Sequence, residues 1–246
     1  MKPRAWERID DYTVEQYLLF ERGAGRGAAD EAVAAVNAPP GNFLPMDRRT
    51  PALRWQHLVQ YAVNHAVNDF YALPRTARDA KAVHRLLEAR WSNRAYLFGM
   101  KQRYVTVKSE TANRLSRFLA GGAENDEPIL SFERVSTPVP ELRKELAMLY
   151  HLVFASKEGS PSIVRKFIVD DREELREAIV HMAVAVSMNA FGQLPQRIEI
   201  CSVMSGRRHV YRTDEGSLAR ALDYIRLIGT CMAGSYTEGR LNCIAH

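Results

Sequence analysis

Apolar residues return at helical spacing through the first half of this chain, and the pattern shifts toward strands after residue 122. Residues 12–21, with Tyr12, Val14, Tyr17, Leu18 and Phe20, read as a short helix. Gly23 to Gly41 is rich in Gly and Ala and reads as a loop around a short alanine-rich helix. Leu53–Tyr71 carries Leu53, His57, Val59, Val63, Ala66 and Phe70 on adjoining helical faces, and Pro74 ends the element. Arg78–Ser92 and Thr106–Leu119 predict two more helices. Gly121-Gly122 and the acidic run Glu124–Glu127 mark a break.

From Ser162 to Arg212 the chain reads as strand, helix, strand, turn, strand, preceded by a strand over Pro128–Val135. Ser162–Val169 is the first of these strands. Asp171, with Glu174 three residues on, predicts a capping-box start to a helix whose stripe is Leu175, Ile179, Met182 and Val186 and whose end suits Gly192. Arg197–Met204 and His209–Thr213 flank Ser205-Gly206-Arg207-Arg208, a hairpin signal. Ser217–Cys231 predicts a closing helix. Pro140–Phe154 fits two readings. Leu142, Leu146, Leu149 and Val153 recur at helical spacing, whereas Leu146–Ala155 followed by Ser156–Pro161 reads as a strand entering a hairpin.

The totals narrow the class. A length of 246 residues with 46% hydrophobic content suits one compact α/β domain: a mostly helical part over residues 1–122 and an α/β core over 123–246. No apolar run spans a bilayer, and Met1–Asp11 lacks the apolar core of a secretion signal. Three scattered cysteines, Cys201, Cys231 and Cys243, predict reduced thiols in a cytoplasm rather than a disulfide framework. A net charge of +5 and a pI near 9.2 are compatible with a nucleic-acid partner and equally with arginine-rich composition alone.

A helical first half followed by hairpin, helix, hairpin and closing helix resembles the RecB-like PD-(D/E)XK nucleases, including the CRISPR-associated RecB-like exonucleases. Local patterns over roughly residues 50–232 carry the resemblance. Asn64-His65-Ala66-Val67-Asn68-Asp69-Phe70-Tyr71 looks like the family's helix with a metal-ligand histidine, which puts His65 at that position. Leu149-Tyr150-His151-Leu152-Val153-Phe154 looks like the strand of the first catalytic aspartate. Ser162-Ile163-Val164-Arg165-Lys166-Phe167 looks like the next strand, with its acid, spacer and lysine. His181-Met182-Ala183-Val184-Ala185 falls where the family often has glutamine then tyrosine.

The chemistry implied by that family needs carboxylates, because Mg²⁺ and Mn²⁺ take oxygen ligands and lower the pKa of the attacking water. Here His151 stands in place of the first aspartate, Val164 or Arg165 in place of the second acid, and Lys166 is kept in one register only. His151 and Lys166 are therefore read as vestigial catalytic positions and His65 as a vestigial metal position. Glu158, Asp170 and Asp171 are near enough in sequence to have taken over as ligands. The resemblance thus implies an inactive nuclease-fold subunit that binds nucleic acid, DNA favoured, or scaffolds a DNA-processing or defence complex with a protein partner. Arg165, Lys166, Arg207 and Arg208 are its candidate phosphate contacts, with strand Ser162–Val169 at an edge or facing a groove. Two alternatives stand beside it: an active nuclease with relocated acidic ligands, using Mg²⁺ or Mn²⁺, and a protein–protein module without nucleic acid. No other cofactor is expected. Gly239-Arg240-Leu241-Asn242-Cys243 echoes a late iron–sulfur cysteine, but three cysteines cannot supply four thiolates, so no cluster is expected.

Blander readings compete at each position. His65 also reads as a packed histidine, Arg207-Arg208 as a solvated turn, and Trp55, Trp91, Phe70 and Tyr71 as core. Gly23–Gly27 lacks the preceding strand and the following Gly-Lys-Ser/Thr of a phosphate loop. No serine sits in a nucleophile elbow.

Overall fold

The computed structural model describes residues 6–20, 54–120, 127–156, 159 and 161–241. The expected Gly/Ala-rich loop with its short helix, most of the 121–127 break, Glu158, Asn242 and Cys243 lie outside these residues. The described part is a mixed six-stranded sheet with helices on both faces. In chain order the strands are β1 (Glu7–Asp10), β2 (Pro128–Val139), β3 (Lys144–Ala155), β4 (Pro161–Ile168), β5 (Arg197–Ser202) and β6 (Arg207–Arg212). The helices are α1 (Asp11–Phe20), α2 (Trp55–Ala72), α3 (Ala80–Arg90), α4 (Lys101–Leu119), α5 (Glu173–Phe191) and α6 (Ser217–Leu241).

β2, β3 and β4 form an antiparallel meander. α5 then carries the chain over to β5, which lies parallel to β4, and β6 returns antiparallel at the edge. β1 was not foreseen. It pairs parallel with the first part of β3, Glu7 opposite Lys144 through Asp10 opposite Ala147. The ambiguous segment is a strand. Its near-continuous burial from Leu146 to Phe154 reflects neighbours on both sides, a setting in which apolar residues fill every position and helical spacing arises by chance.

Two apolar cores lie on opposite faces of the sheet. One joins α1, α5 and α6 to Leu146, Met148, Tyr150, Val164, Ile168, Ile198 and Ile200. The other joins α2, α3 and α4 to Leu152, Phe154, Phe167, Val169, Cys201 and Val203. Side chains two apart on a strand should share a face, yet Tyr150 and Leu152 do not. The alternation slips at His151, opposite Phe132, whose φ of 50° is left-handed and uncommon for a bulky side chain. The slip fixes which residues of β3 face β4's lysine.

Two helix ends follow the local chemistry of their sequence. The Asp79 carboxylate accepts from Ala82 N at 2.7 Å to start α3, and Gly192, at φ 72°, ends α5. The capping box expected from Asp171 and Glu174 is absent: α5 begins after Arg172 without a side-chain cap. Asp171 is drawn to the β5–β6 turn instead, where Ser205 and Arg176 donate to it.

Candidate functional site: a notch in the sheet around Lys166

One edge of β3 is shared by two strands. β1 pairs with Lys144–Ala147 and β4 with Leu152–Ala155, so the residues between face a notch. Buried backbone groups in a notch need partners, and side chains supply them. Asp11, the first residue of α1, accepts from Leu149 N at 3.1 Å. His151 Nδ1 accepts from Phe167 N at 3.1 Å. The Gln60 amide of α2 donates to Phe167 O and accepts from Val169 N, both at 2.9 Å.

Lys166 enters this notch from β4 and is 5% exposed. Its ammonium donates to Asp11 Oδ2 at 2.7 Å and lies 3.0 Å from Glu15 Oε1. The second contact is an ion pair without hydrogen-bond alignment, since Glu15 Oε1 is buried with no hydrogen-bond partner. Burial alone would favour a neutral amine, but the charges of Asp11 and Glu15 outweigh it and hold the Lys166 pKa above its ordinary value. Glu15 is the surplus carboxylate. Burial pushes its pKa up against the pull of Lys166, and the neighbouring Asp11 adds to the rise. Tyr150 faces the same core; burial raises its pKa, and its hydroxyl sits 2.9 Å from Ser187 Oγ.

Such a cluster is a buried ion-pair contact with one carboxylate in excess. Lys166 stays protonated and is no general base. A divalent cation at the Asp11 and Glu15 oxygens would have to displace the ammonium already there, so this donor set does not fit Mg²⁺ or Mn²⁺. Among the described residues, no three His, Cys, Asp or Glu side chains converge to hold a metal ion.

The two positions read as catalytic are not brought together. Lys166 lies on the face of α1, whereas His151 points to the face of α2–α4, stacked on Phe132 at 4.8 Å and parallel to Phe167 at 6.5 Å. Burial, then the charge of Lys166, pushes the His151 pKa well below its ordinary value. Its Nδ1 acceptor role requires the neutral ring. His65 is half-buried on α2, with its ring 4.2 Å from that of Tyr61, on the face opposite Lys166.

Arg165 and Lys166 do not sit on an edge or line a groove. β4 pairs on both sides, and each cation is buried on its own face with its own carboxylate. Arg165 Nε donates to Glu199 Oε2 at 2.8 Å, with its guanidinium 4.8 Å from the Phe154 ring centroid. Arg197 donates to the other Glu199 oxygen at 2.8 Å. Burial alone would raise the Glu199 pKa; the two arginines more than reverse it. Arg207 and Arg208 are exposed beside the β5–β6 turn. Of the acids near enough in sequence to serve as replacement ligands, Asp170 pairs with Arg172 and Asp171 with Arg176.

Asp11 and Glu15 escaped sequence reasoning although a signal was present. They lie one turn apart on the same stripe as the buried Val14 and Leu18, and acids on an apolar stripe require a buried cation. Ser205, Asp171 and His209 also meet, but the carboxylate sits between hydroxyl and imidazole, at 2.8 Å and 3.2 Å. A nucleophilic triad needs the imidazole in the middle. Burial pushes the Cys201 thiol up to about 11, which leaves it unreactive at neutral pH. No family model matches this sequence, and no curated protein matches it closely enough to assign a relationship.

Proposed function

We propose that this protein is a PD-(D/E)XK-like nuclease-fold subunit without hydrolytic activity, retained to bind nucleic acid, DNA in preference, or to scaffold a DNA-processing complex. The observation that carries this reading is the chemistry around Lys166. The strand positions where the resemblance requires carboxylates hold His151 and Val164 or Arg165. No acid joins Lys166 from β3 or β4, where Tyr150 and Val164 share its core, and the lysine itself is locked to Asp11 and Glu15. The order of elements supports the reading too: an antiparallel meander, a helical crossover, a strand parallel to β4, a returning strand and a closing helix.

The test is one gel experiment with labelled single- and double-stranded DNA, run with Mn²⁺ and with EDTA. A salt-sensitive shift without cleavage is expected. Metal-dependent cleavage that disappears in a folded Lys166→Ala variant would overturn the proposal in favour of an active nuclease using Asp11 and Glu15. Neither shift nor cleavage would overturn nucleic-acid binding and leave a protein-binding module.

A further inference from the structure

The charge of the molecule is concentrated in one layer. Residues 54–120 hold twelve Lys and Arg against four Asp and Glu, a formal +8 in a chain whose total is +5. Within that layer α4 carries five cations, Lys101, Arg103, Lys108, Arg114 and Arg117, and one acid, Glu110, which Arg114 neutralises at 3.0 Å. The inner face of α4 is spent on the core through Val107, Leu115, Phe118 and Leu119. Its outer stripe runs Gln102, Thr106, Ser109, Asn113 and Arg117, every one exposed. A helix face that is merely solvated mixes acids with bases. This one has neutral hydrogen-bonding side chains and an arginine, with no carboxylate.

The β5–β6 turn packs on the flank of α4 beside that stripe. A Cβ on Gly206 would lie 3.4 Å from Arg114 Cδ, so the turn packs directly on α4. Arg208 places its guanidinium 5.9 Å from the Phe118 ring centroid at the end of α4. Among the described residues Arg117 and Arg207 have no carboxylate partner, Arg208 is exposed but within electrostatic reach of Glu199, and Arg114 Nη1 is buried without an acceptor.

We infer that the outer face of α4 together with the β5–β6 turn grips the sugar–phosphate backbone of duplex DNA. The inference rests on the nucleic-acid reading above and moves the contact away from the buried Arg165 and Lys166. Amides, hydroxyls and guanidinium groups are the donors that contact phosphates, and none of those on the stripe repels an anion. A 19-residue helix is about 28 Å long, close to one turn of duplex. The stripe itself holds no aromatic platform for unstacked bases, and the exposed apolar side chains beside it, Met100 and Val105, are confined to one end of α4.

Fluorescence anisotropy of the full chain with a labelled 24-base-pair duplex tests it, with salt varied. Arg117→Glu/Arg207→Glu should weaken binding at least about tenfold and flatten the log–log salt slope by about 2, near 0.9 per lost phosphate contact. Ser109→Lys/Asn113→Lys should tighten binding and steepen the slope, so a misfolded first variant leaves the question answerable. Arg220→Glu/Arg226→Glu, an equal charge change on α6 across the sheet, should bind like wild type. If wild type binds and the two α4 variants match it, this surface is wrong while the nucleic-acid reading stands. If Arg220→Glu/Arg226→Glu weakens binding as much as Arg117→Glu/Arg207→Glu, bulk charge explains binding and the surface is again wrong. If wild type binds no duplex, the underlying reading fails as well.

Discussion

An ammonium in an apolar core survives only with a matched anion, and Lys166 has two. Asp11 takes the aligned bond and ties α1 to β3 and β4 at one point. Removing one partner of a buried pair costs about 3–5 kcal/mol, because the other charge is left bare. Lys166→Met should therefore lower stability by about that amount in urea unfolding, with Asp11 and Glu15 left facing each other. Adding Asp11→Asn and Glu15→Leu should recover most of the loss. A cost below about 1 kcal/mol for Lys166→Met would show that the cluster does not hold α1 in place. Lys166 and the two acids were visible as isolated charges on apolar stripes. Their pairing was not, since the lysine and Asp11 are 155 positions apart.

At the scale of elements, side chains replace missing ladder bonds at the notch between β1 and β4, and add ion pairs across strands that are already paired. β4 is joined to β5 by Glu199, which accepts from Arg165 on one strand and Arg197 on its own. Its folded pKa lies below the ordinary 4.5. The stability it contributes is thus present above pH about 4.5 and lost as pH falls through the folded value. Glu199→Gln should be less stable than wild type at neutral pH, and the gap should narrow below pH 4.5 in melts taken across that range. A gap that stays constant would mean that Glu199 carries no charge-dependent tie. Glu15 works with the opposite sign. Its raised pKa gives stability below 4.5 that is lost as pH rises through the folded value. Most elements were legible from periodicity and caps, with ends that moved: α4 starts at Lys101 rather than Thr106, and α6 runs to Leu241. β1 was not legible, because four residues with a single buried apolar side chain, Ile9, carry no period.

For the whole molecule, the sheet is the shared wall of two cores, and neither helical layer can bury its apolar face without it. Two of the three tryptophans, Trp55 and Trp91, report the α2–α4 layer, with Trp6 exposed beside β1, whereas backbone ellipticity reports all elements. Thermal unfolding followed by tryptophan fluorescence and by far-UV circular dichroism should give coincident transitions. A fluorescence transition that precedes the dichroism change would mean that the helical layer unfolds by itself. Among the described residues, no helix is long and apolar enough to cross a membrane.

The sequence by itself determined the α/β class, the three central helices, the α5 stripe and the hairpin after it, because periodicity and turn residues act over a few neighbouring positions. It also showed that the strand positions where a nuclease needs acids hold His151, Val164 and Arg165. Tertiary structure decided that Leu146–Ala155 is a strand, since burial on both sides erases the period that would distinguish it. It decided that His151 and Lys166 lie on opposite faces, since the slip at His151 opposite Phe132 turns the end of β3 over. It also decided that the cations of β4 are closed in the core and those of α4 and the β5–β6 turn are open to solvent. Which carboxylate reaches a given cation depends on contacts between segments remote in sequence, and local patterns hold no record of those.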